Sequence, residues 1–312
     1  MRLTFLGTAA ARPSVGRNVS SLVLQREGDL LMFDCGEGTQ RQMMRYGTGF
    51  ALDHIFFSHM HADHFLGVIG LLRTMGLQAR ETPINLFAPR GSEEILRQAV
   101  HLGVERVPFE VVISGLEPDQ AVERGQYDVI PFRTNHGGRS LGYTVREHER
   151  LGRFDPERAR QLGIPEGPLW GKLHHGESVE VDGRTVEAAE LVGPTRPGRS
   201  VVVTGDTRPS PSTVKIASGT DLLVHEATFA QDEAERAGSN GHSTAREAAR
   251  VALDVGALRL AMTHFSPRYA DDPRILEREA RAVFPAAVAA YDGLVMEVPY
   301  REEGGTEGTG SW

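Results

Sequence analysis

A single cysteine, Cys35, stands among 312 residues, so no disulfide can close within the chain and a small secreted scaffold stapled by cystines is excluded. No apolar run reaches the roughly 20 residues of a membrane span. The opening MRLTFLGTAA is broken by Gly7 too early for a signal peptide, and the expectation is a soluble, cytoplasmic protein. Basic residues are in the minority: 34 Lys and Arg against 42 Asp and Glu give a net charge of −8, which by itself argues against a nucleic-acid binder. Bound metal ions, absent from a formal charge count, can reverse the local field. No repeat of the solenoid or propeller kind is evident, and no linker divides the chain. What remains is a turn-rich globular composition with 35 Gly and 17 Pro.

Short apolar, β-branched runs alternate with helical stretches, which reads as α/β. The strand candidates are Leu3–Leu6, Ser21–Gln25, Leu30–Asp34, His54–Ser58, Ile84–Ala88, Val111–Ile113, Tyr127–Phe132, Gly142–Arg146, Ser200–Thr204, Leu222–His225, Leu260–Thr263 and Leu294–Val298. Thr39 with Gln42 forms a capping-box pattern ahead of a helix that Gly47 ends, and Thr244 with Glu247 forms another for a helix running to Gly256. Ser92 is placed to cap EEILRQAVHL, and Asp272-Pro273 opens a helix that must stop before Pro285. The stretch 65–78 is apolar on nearly all sides and predicts a buried helix. Residues 146–178 are rich in Arg, then in Gly and Pro, with little strand pattern, and predict an insertion or arm in a single domain spanning 1–300. The polar, Gly-rich residues 301–312 predict a disordered tail.

The chemistry concentrates in SHMHADH, residues 58–64. His59, His61, Asp63 and His64 fall within six residues, between a strand and a helix. Imidazole and carboxylate in so tight a loop suit a divalent transition metal. Four residues cannot saturate two ions, and further donors follow other strands: Asn135-His136, Gly205-Asp206, His225-Glu226 and Thr263-His264. Each lies just past the carboxyl end of an apolar strand, where α/β sheets place their ligand sites. His54, His101, His148, His174 and His175 have no motif partner and read as surface or core residues. Cys35 reads as a small buried hydrophobe, and Asp34 as a shaper of its Gly-rich loop, with a hydrogen bond to a ligand histidine as the alternative.

On SHMHADH the chain resembles the metallo-β-lactamase superfamily, whose motif is His-x-His-x-Asp-His. Four stretches narrow the resemblance to the ribonuclease Z family of tRNA 3′-processing endonucleases: FDCGEGTQ (33–40), HEATF (225–229), GHST (241–244) and GPLWGKL (167–173). The likeness spans residues 3 to about 296 and implies a four-layer αββα sandwich with a protruding tRNA-binding arm carrying Gly167 and Pro168. It implies one zinc held by His59, His61 and His136, a second by Asp63, His64 and His264, and Asp206 bridging both; manganese is the alternative metal. The loop RPSVGRN (12–18) fits the family's Pro-x-Lys-x-Arg-Asn pattern at Pro13, Arg17 and Asn18, which marks Arg17 and Asn18 as candidate substrate contacts. Val15 takes the Lys position, so the handling of precursors that already encode CCA is not carried over. The family also implies a homodimer acting on precursor tRNA.

Two divalent ions with two carboxylates leave a locally positive centre, which reconciles an acidic protein with RNA. Asp63 is assigned two tasks, metal ligand and general base for the attacking water. His242, oriented by Glu226, is assigned proton donation to the departing ribose 3′ oxygen. Three other readings stay open: another phosphodiesterase or 3′ exoribonuclease with the same centre, a thioester or lactam hydrolase, and a non-catalytic metal-bound scaffold. The His242–Glu226 pair and the arm weigh against acyl hydrolysis, which requires neither.

Overall fold

The computed structural model describes residues 1–104, 106–270 and 272–301, and the tail expected over 301–312 lies outside these from residue 302 onward. The strands run β1 Arg2–Gly7, β2 Ser21–Arg26, β3 Asp29–Cys35, β4 His54–Phe56, β5 Ile84–Pro89, β6 Val111–Leu116, β7 Val122–Glu123, β8 Tyr127–Arg133, β9 Leu141–Glu147, β10 Val179–Val181, β11 Arg184–Val186, β12 Ser200–Val203, β13 Leu222–Glu226, β14 Leu260–Thr263, β15 Ala287–Ala289 and β16 Val295–Glu297. The helices are α1 Thr39–Tyr46, α2 Ala62–Phe65, α3 Gly67–Leu77, α4 Glu93–Val100, α5 Pro156–Gln161, α6 Pro168–His174, α7 Pro211–Ile216, α8 Ala234–Asn240, α9 Ala245–Asp254 and α10 Arg274–Arg281.

Among the described residues two seven-stranded sheets form, in the orders β16-β1-β2-β3-β4-β5-β6 and β15-β14-β13-β12-β9-β8-β7. Residues of both inner faces, including Leu3, Phe33, Phe56, Tyr143, Val201 and Val224, share one core. The outer face of the first sheet packs Met32, Ile55 and Leu86 against α1, α3 and α4, and that of the second packs Val202, Leu223 and Met262 against α9 and α10. Two stacked sheets with helices outside are the expected αββα sandwich. Strands buried on both faces read as continuous apolar runs, which is why most were visible in sequence.

The chain divides into two compact units, Met1–Arg146 with Arg199–Pro299, and Glu147–Gly198 with Tyr300 and Arg301. The second contains α5, α6 and the β10–β11 hairpin around a core of its own, Ala159, Ile164, Leu173, Val179, Val186 and Leu191. Of the insertion expected over 146–178, all but Arg146 falls inside it, and the unit runs on to Gly198.

Two local expectations need correction. Thr39 does not cap α1; its hydroxyl donates to Gly36 O, Gly38 takes the cap position at φ +77°, and Gln42 is drawn away to Leu6 O and Asp292. The 65–78 stretch is not buried all round: α3 sinks Val68, Leu71, Leu72 and Met75, while Leu77 is 89% exposed. The Thr244–Glu247 capping box forms with both bonds present. No helix among the described residues is long and apolar enough to cross a membrane.

Candidate metal centre

The carboxyl ends of β3 and β4 in one sheet, and of β12, β13 and β14 in the other, converge on one rim. β4 stops at Phe56, and Ser58 N is tied to Asp34 Oδ1 at 2.7 Å, which turns the chain away from the sheet and releases His59–His64 as a loop leading into α2. From the opposite sheet, Gly205 at φ +61° presses against Ser58, where a Cβ would come within 2.6 Å of the serine Cβ. A glycine is therefore needed for Asp206 to reach the histidine loop. His264 follows β14 in the left-handed region at φ +59°, and Asp34 ends β3 similarly at φ +56°; non-glycine residues take this conformation at a cost, and such strain collects at functional sites.

The resulting cluster has Asp206 at its middle. Asp206 Oδ2 lies 3.4 Å from His64 Nε2, 3.7 Å from His59 Nε2 and 3.8 Å from His136 Nε2, and Oδ1 lies 3.3 Å from His264 Nε2. Asp63 Oδ2 is 3.4 Å from His264 Nε2 and 3.6 Å from His64 Nε2, and His61 Nδ1 is 3.4 Å from His136 Nε2. His59, His61, His136 and Asp206 form one potential metal group, and Asp63, His64 and His264 another. Apart from the exposed His61 and the half-buried Asp63, these side chains are buried.

Two carboxylates behind the cluster fix which nitrogen four of the imidazoles offer. His64 Nδ1 donates to Asp34 Oδ2 at 2.8 Å, and His59 Nδ1 donates to Ser58 Oγ, which donates in turn to Asp34 at 2.8 Å. Glu226 repeats the arrangement: His242 Nδ1 donates to Oε1 at 2.8 Å, and His264 Nδ1 donates to Thr228 Oγ1, which donates to Oε2 at 2.7 Å. His136 Nδ1 donates to Gly241 O. With Nδ1 engaged, Nε2 is the lone-pair nitrogen, and those of His59, His64 and His264 are buried without a hydrogen-bond partner among the described residues, as is Asp206 Oδ1. Buried polar atoms left unpaired are costly, and four of them aimed at one another fit a cation between them. Donors held 2.0–2.1 Å from one tetrahedral ion sit about 3.3–3.4 Å apart, close to several of these distances. The residues fit a transition-metal site.

The electrostatics agree. Burial alone would raise the Asp206 carboxyl, but the His264 and His64 charges hold it well below its usual range. Asp63 is likewise lowered against burial, by hydrogen bonding to His264 and by the His64 charge. Glu226 is buried yet lowered, because the His242 bond outweighs its loss of water. Burial pulls the His242 imidazole down, and the Glu226 bond and charge, helped by Asp206, leave it raised overall.

Residues 15–264 match the metallo-beta-lactamase superfamily. Over 302 residues, 96% of each chain, the sequence is 55% identical to ribonuclease Z of Gemmatimonas aurantiaca, and it is 52% identical to that of Myxococcus xanthus over 97% of this chain and 99% of the relative. The crystal structure of human tRNase Z, short form, superimposes with a TM-score of 0.70 at 28% identity, covering 96% of this chain and all of that one. The chain belongs to the metallo-β-lactamase superfamily and, within it, to the ribonuclease Z family.

Against the family expectation, the ligand-type residues His59, His61, Asp63, His64, His136, Asp206 and His264 all meet at the rim, with the His242–Glu226 pair beside them. The His242 ring lies 4.7 Å from that of His136 and 5.3 Å from that of His264. Arg17, a candidate substrate contact, packs into its own loop. It is 8% exposed, its Nη1 donates to Thr8 Oγ1 at 2.7 Å and Ala290 O at 2.8 Å, its Nε to Ala270 O, and it lies over the Phe265 ring. It anchors the 8–18 loop, and Ala11 N of that loop donates to Asp63 Oδ2 at 2.7 Å. Asn18 is half-buried and tied through its backbone N–H to Asp292. Val15 stands fully exposed at the loop tip. Gly167 and Pro168 are exposed in the second unit, away from the metal-type cluster in sequence and unit, with Gly167 at φ +141° opening α6.

Ser58, Thr228 and Arg208 are functional residues that the sequence did not mark, and Glu247, read there only as a helix cap, has a second task. Arg208 pairs with Glu247 at 2.5 Å and donates to His242 O at 2.7 Å, clamping the GHST loop to the start of α9. Each of these residues lies inside or beside a motif already singled out, but most of their partners come from distant segments and become visible with the fold.

Proposed function

We propose that the chain is a zinc-dependent endoribonuclease that removes 3′ trailers from tRNA precursors in the cytoplasm and leaves a 3′-hydroxyl on the tRNA. The observation that carries this reading is the His242–Glu226 pair beside a cluster of metal-donor type: a proton donor outside the ligand set is needed to expel an alkoxide. His59, His61 and His136 would hold one ion, Asp63, His64 and His264 the other, and Asp206 both. The nitrogen-rich donor set favours zinc, with manganese as the alternative. When bound, two such ions supply positive charge for the phosphate oxygens and acidify water.

This chain's own residues do the rest. Asp63, kept anionic by its histidine neighbours and placed by Ala11 N, orients the attacking water and accepts its proton. His242, whose Nδ1 is committed to Glu226, presents Nε2 and delivers a proton to the departing 3′ oxygen. The Glu226 bond and charge raise its proton affinity, the direction an acid requires. The second unit, with Gly167 and Pro168, acts as the arm that grips tRNA, and the working form is a homodimer.

One arrangement favours a rival role for His242: Asp206, His242 and His264 also form a potential metal group. His242→Ala separates the two. The acid role predicts unchanged metal content and a rate on pre-tRNA lower by roughly 10²–10⁴-fold; loss of one ion per chain would make His242 a ligand. Mapping the wild-type products on one pre-tRNA distinguishes a single cut 3′ of the discriminator nucleotide, as proposed, from the ladder of a 3′ exoribonuclease. No cleavage would leave a hydrolase of other substrates or a scaffold.

A further inference from the structure

We infer that a groove lined by Arg90, Arg133 and Arg139, at the same rim as the metal-type cluster, binds the phosphodiester backbone of single-stranded RNA next to the scissile bond. The inference rests on the proposed ribonuclease reading and adds a binding site to it. The groove has a volume of about 370 Å³ and is bounded by the ends of β5 and β6 and by the loop after β8. β5 and β6 run parallel to β4, so Pro89 and Leu116 end at the rim where β4 releases His59. β8 delivers Arg133 and, three residues later, His136. The returning chain is fastened to the histidine loop itself, since Leu141 N donates to Ser58 O at 2.9 Å.

The charge of the lining runs against that of the chain. Three arginines face one acid, Glu117, which pairs with Arg90 at 3.0 Å, whereas the whole sequence carries −8. Arg133 and Arg139 are exposed, and the Arg133 side chain makes no hydrogen bond or ion pair among the described residues. Arg139 is held for use: one Nη1 donates to Gly91 O at 2.6 Å, leaving the remainder of its fork unspent. Gly91, at φ +83°, leaves room for that guanidinium, whose Cζ would lie 2.8 Å from a Cβ there. Glu93 pins the turn by accepting from Gly91 N at 2.6 Å. A guanidinium fork matches phosphate oxygens, and no aromatic side chain lines the groove to stack a base. The ligand is therefore the sugar–phosphate chain, taken without regard to sequence.

The test compares wild type with the Arg133→Ala/Arg139→Ala double variant in three assays: Kd for a short fluorescein-labelled single-stranded RNA over a range of salt, kcat/KM on pre-tRNA, and hydrolysis of a small chromogenic phosphodiester that reads the metal centre alone. Expected are an RNA Kd raised about ten-fold or more and a salt slope flattened by roughly 1.4, or about 0.7 for each phosphate no longer neutralised. The loss on pre-tRNA should exceed that on the small ester. Arg139→Lys, which keeps the charge without the fork, should recover part of the RNA affinity. Unaltered RNA Kd and salt slope would overturn the groove, and so would equal losses on RNA and small ester, which would mark a loop-holding role. A wild type that binds RNA but does not cut pre-tRNA would refute the ribonuclease reading, while the Kd comparison would still decide the groove.

Discussion

Two buried carboxylates, Asp34 and Glu226, do the same job on opposite sheets. Each takes one histidine Nδ1 proton directly and a second through a hydroxyl, Ser58 or Thr228, so that four imidazoles present Nε2 with a lone pair or a transferable proton. At this scale His-x-His-x-Asp-His was legible, because four donors in six residues need no fold to bring them together. For Asp34 a bond to a ligand histidine was only an alternative to loop shaping, because its carboxylate meets Ser58 and His64 only once β3 and β4 pair in parallel. The Glu226–His242 link also sets a pH dependence. The active form of His242 is protonated, so kcat/KM should fall as pH rises through its raised pKa. Glu226→Gln removes the hydrogen-bonded anion responsible, and the alkaline limb of the kcat/KM profile should then move to lower pH; an unmoved limb would mean that another group carries the acid step.

At the scale of elements, the site depends on how strand ends are allowed to approach. Gly205 contributes no side chain, and that absence lets the loop after β12 rest on Ser58. In Gly205→Ala the new Cβ, at φ +61° and 2.6 Å from Ser58 Cβ, should push Asp206 off centre. Metal affinity, followed by competition with a chromophoric chelator, should weaken well beyond any loss of melting temperature. Equal metal affinity in the two proteins would show that the loop adapts. Elements differed in how well they could be read. The Thr244–Glu247 box formed as its spacing indicated even though Arg208 also holds Glu247, because its carboxylate accepts from Arg208 and from Thr244 N together, whereas Gln42 had Leu6 O and Asp292 within reach and left its box. The edge strand Ala287–Ala289 escaped notice because three small residues carry little β signal and find their place only by pairing with β14.

For the whole molecule, the larger part of the second unit, Glu147–Gly198, is inserted into the first, which should tolerate its removal. Arg146 and Ser200 are register partners in the antiparallel β9–β12 pair, so its entry and exit lie side by side. Replacing residues 148–198 by a short turn should close a hairpin, keep hydrolysis of a small phosphodiester and weaken pre-tRNA cleavage; equal loss of both would end the arm assignment. Sequence located this insertion by its lack of strand pattern but stopped it at 178, because the β10–β11 hairpin and the residues up to Gly198 join its core through Val186 and Leu191, too sparse to stand out. The two-sheet architecture was legible through its apolar runs and through family motifs; the order of strands was not, since pairing is decided between distant segments.

The roles of Asp63 and His242 alike require divalent ions among His59, His61, His136, Asp206, Asp63, His64 and His264. The most direct measurement is calorimetric titration of chelator-treated, folded protein with zinc, paired with elemental analysis of the untreated preparation. Two ions per chain are expected, and fewer in an Asp206→Ala variant that remains folded. Folded protein that neither carries a divalent metal nor takes one up would contradict the metal centre and every role built on it.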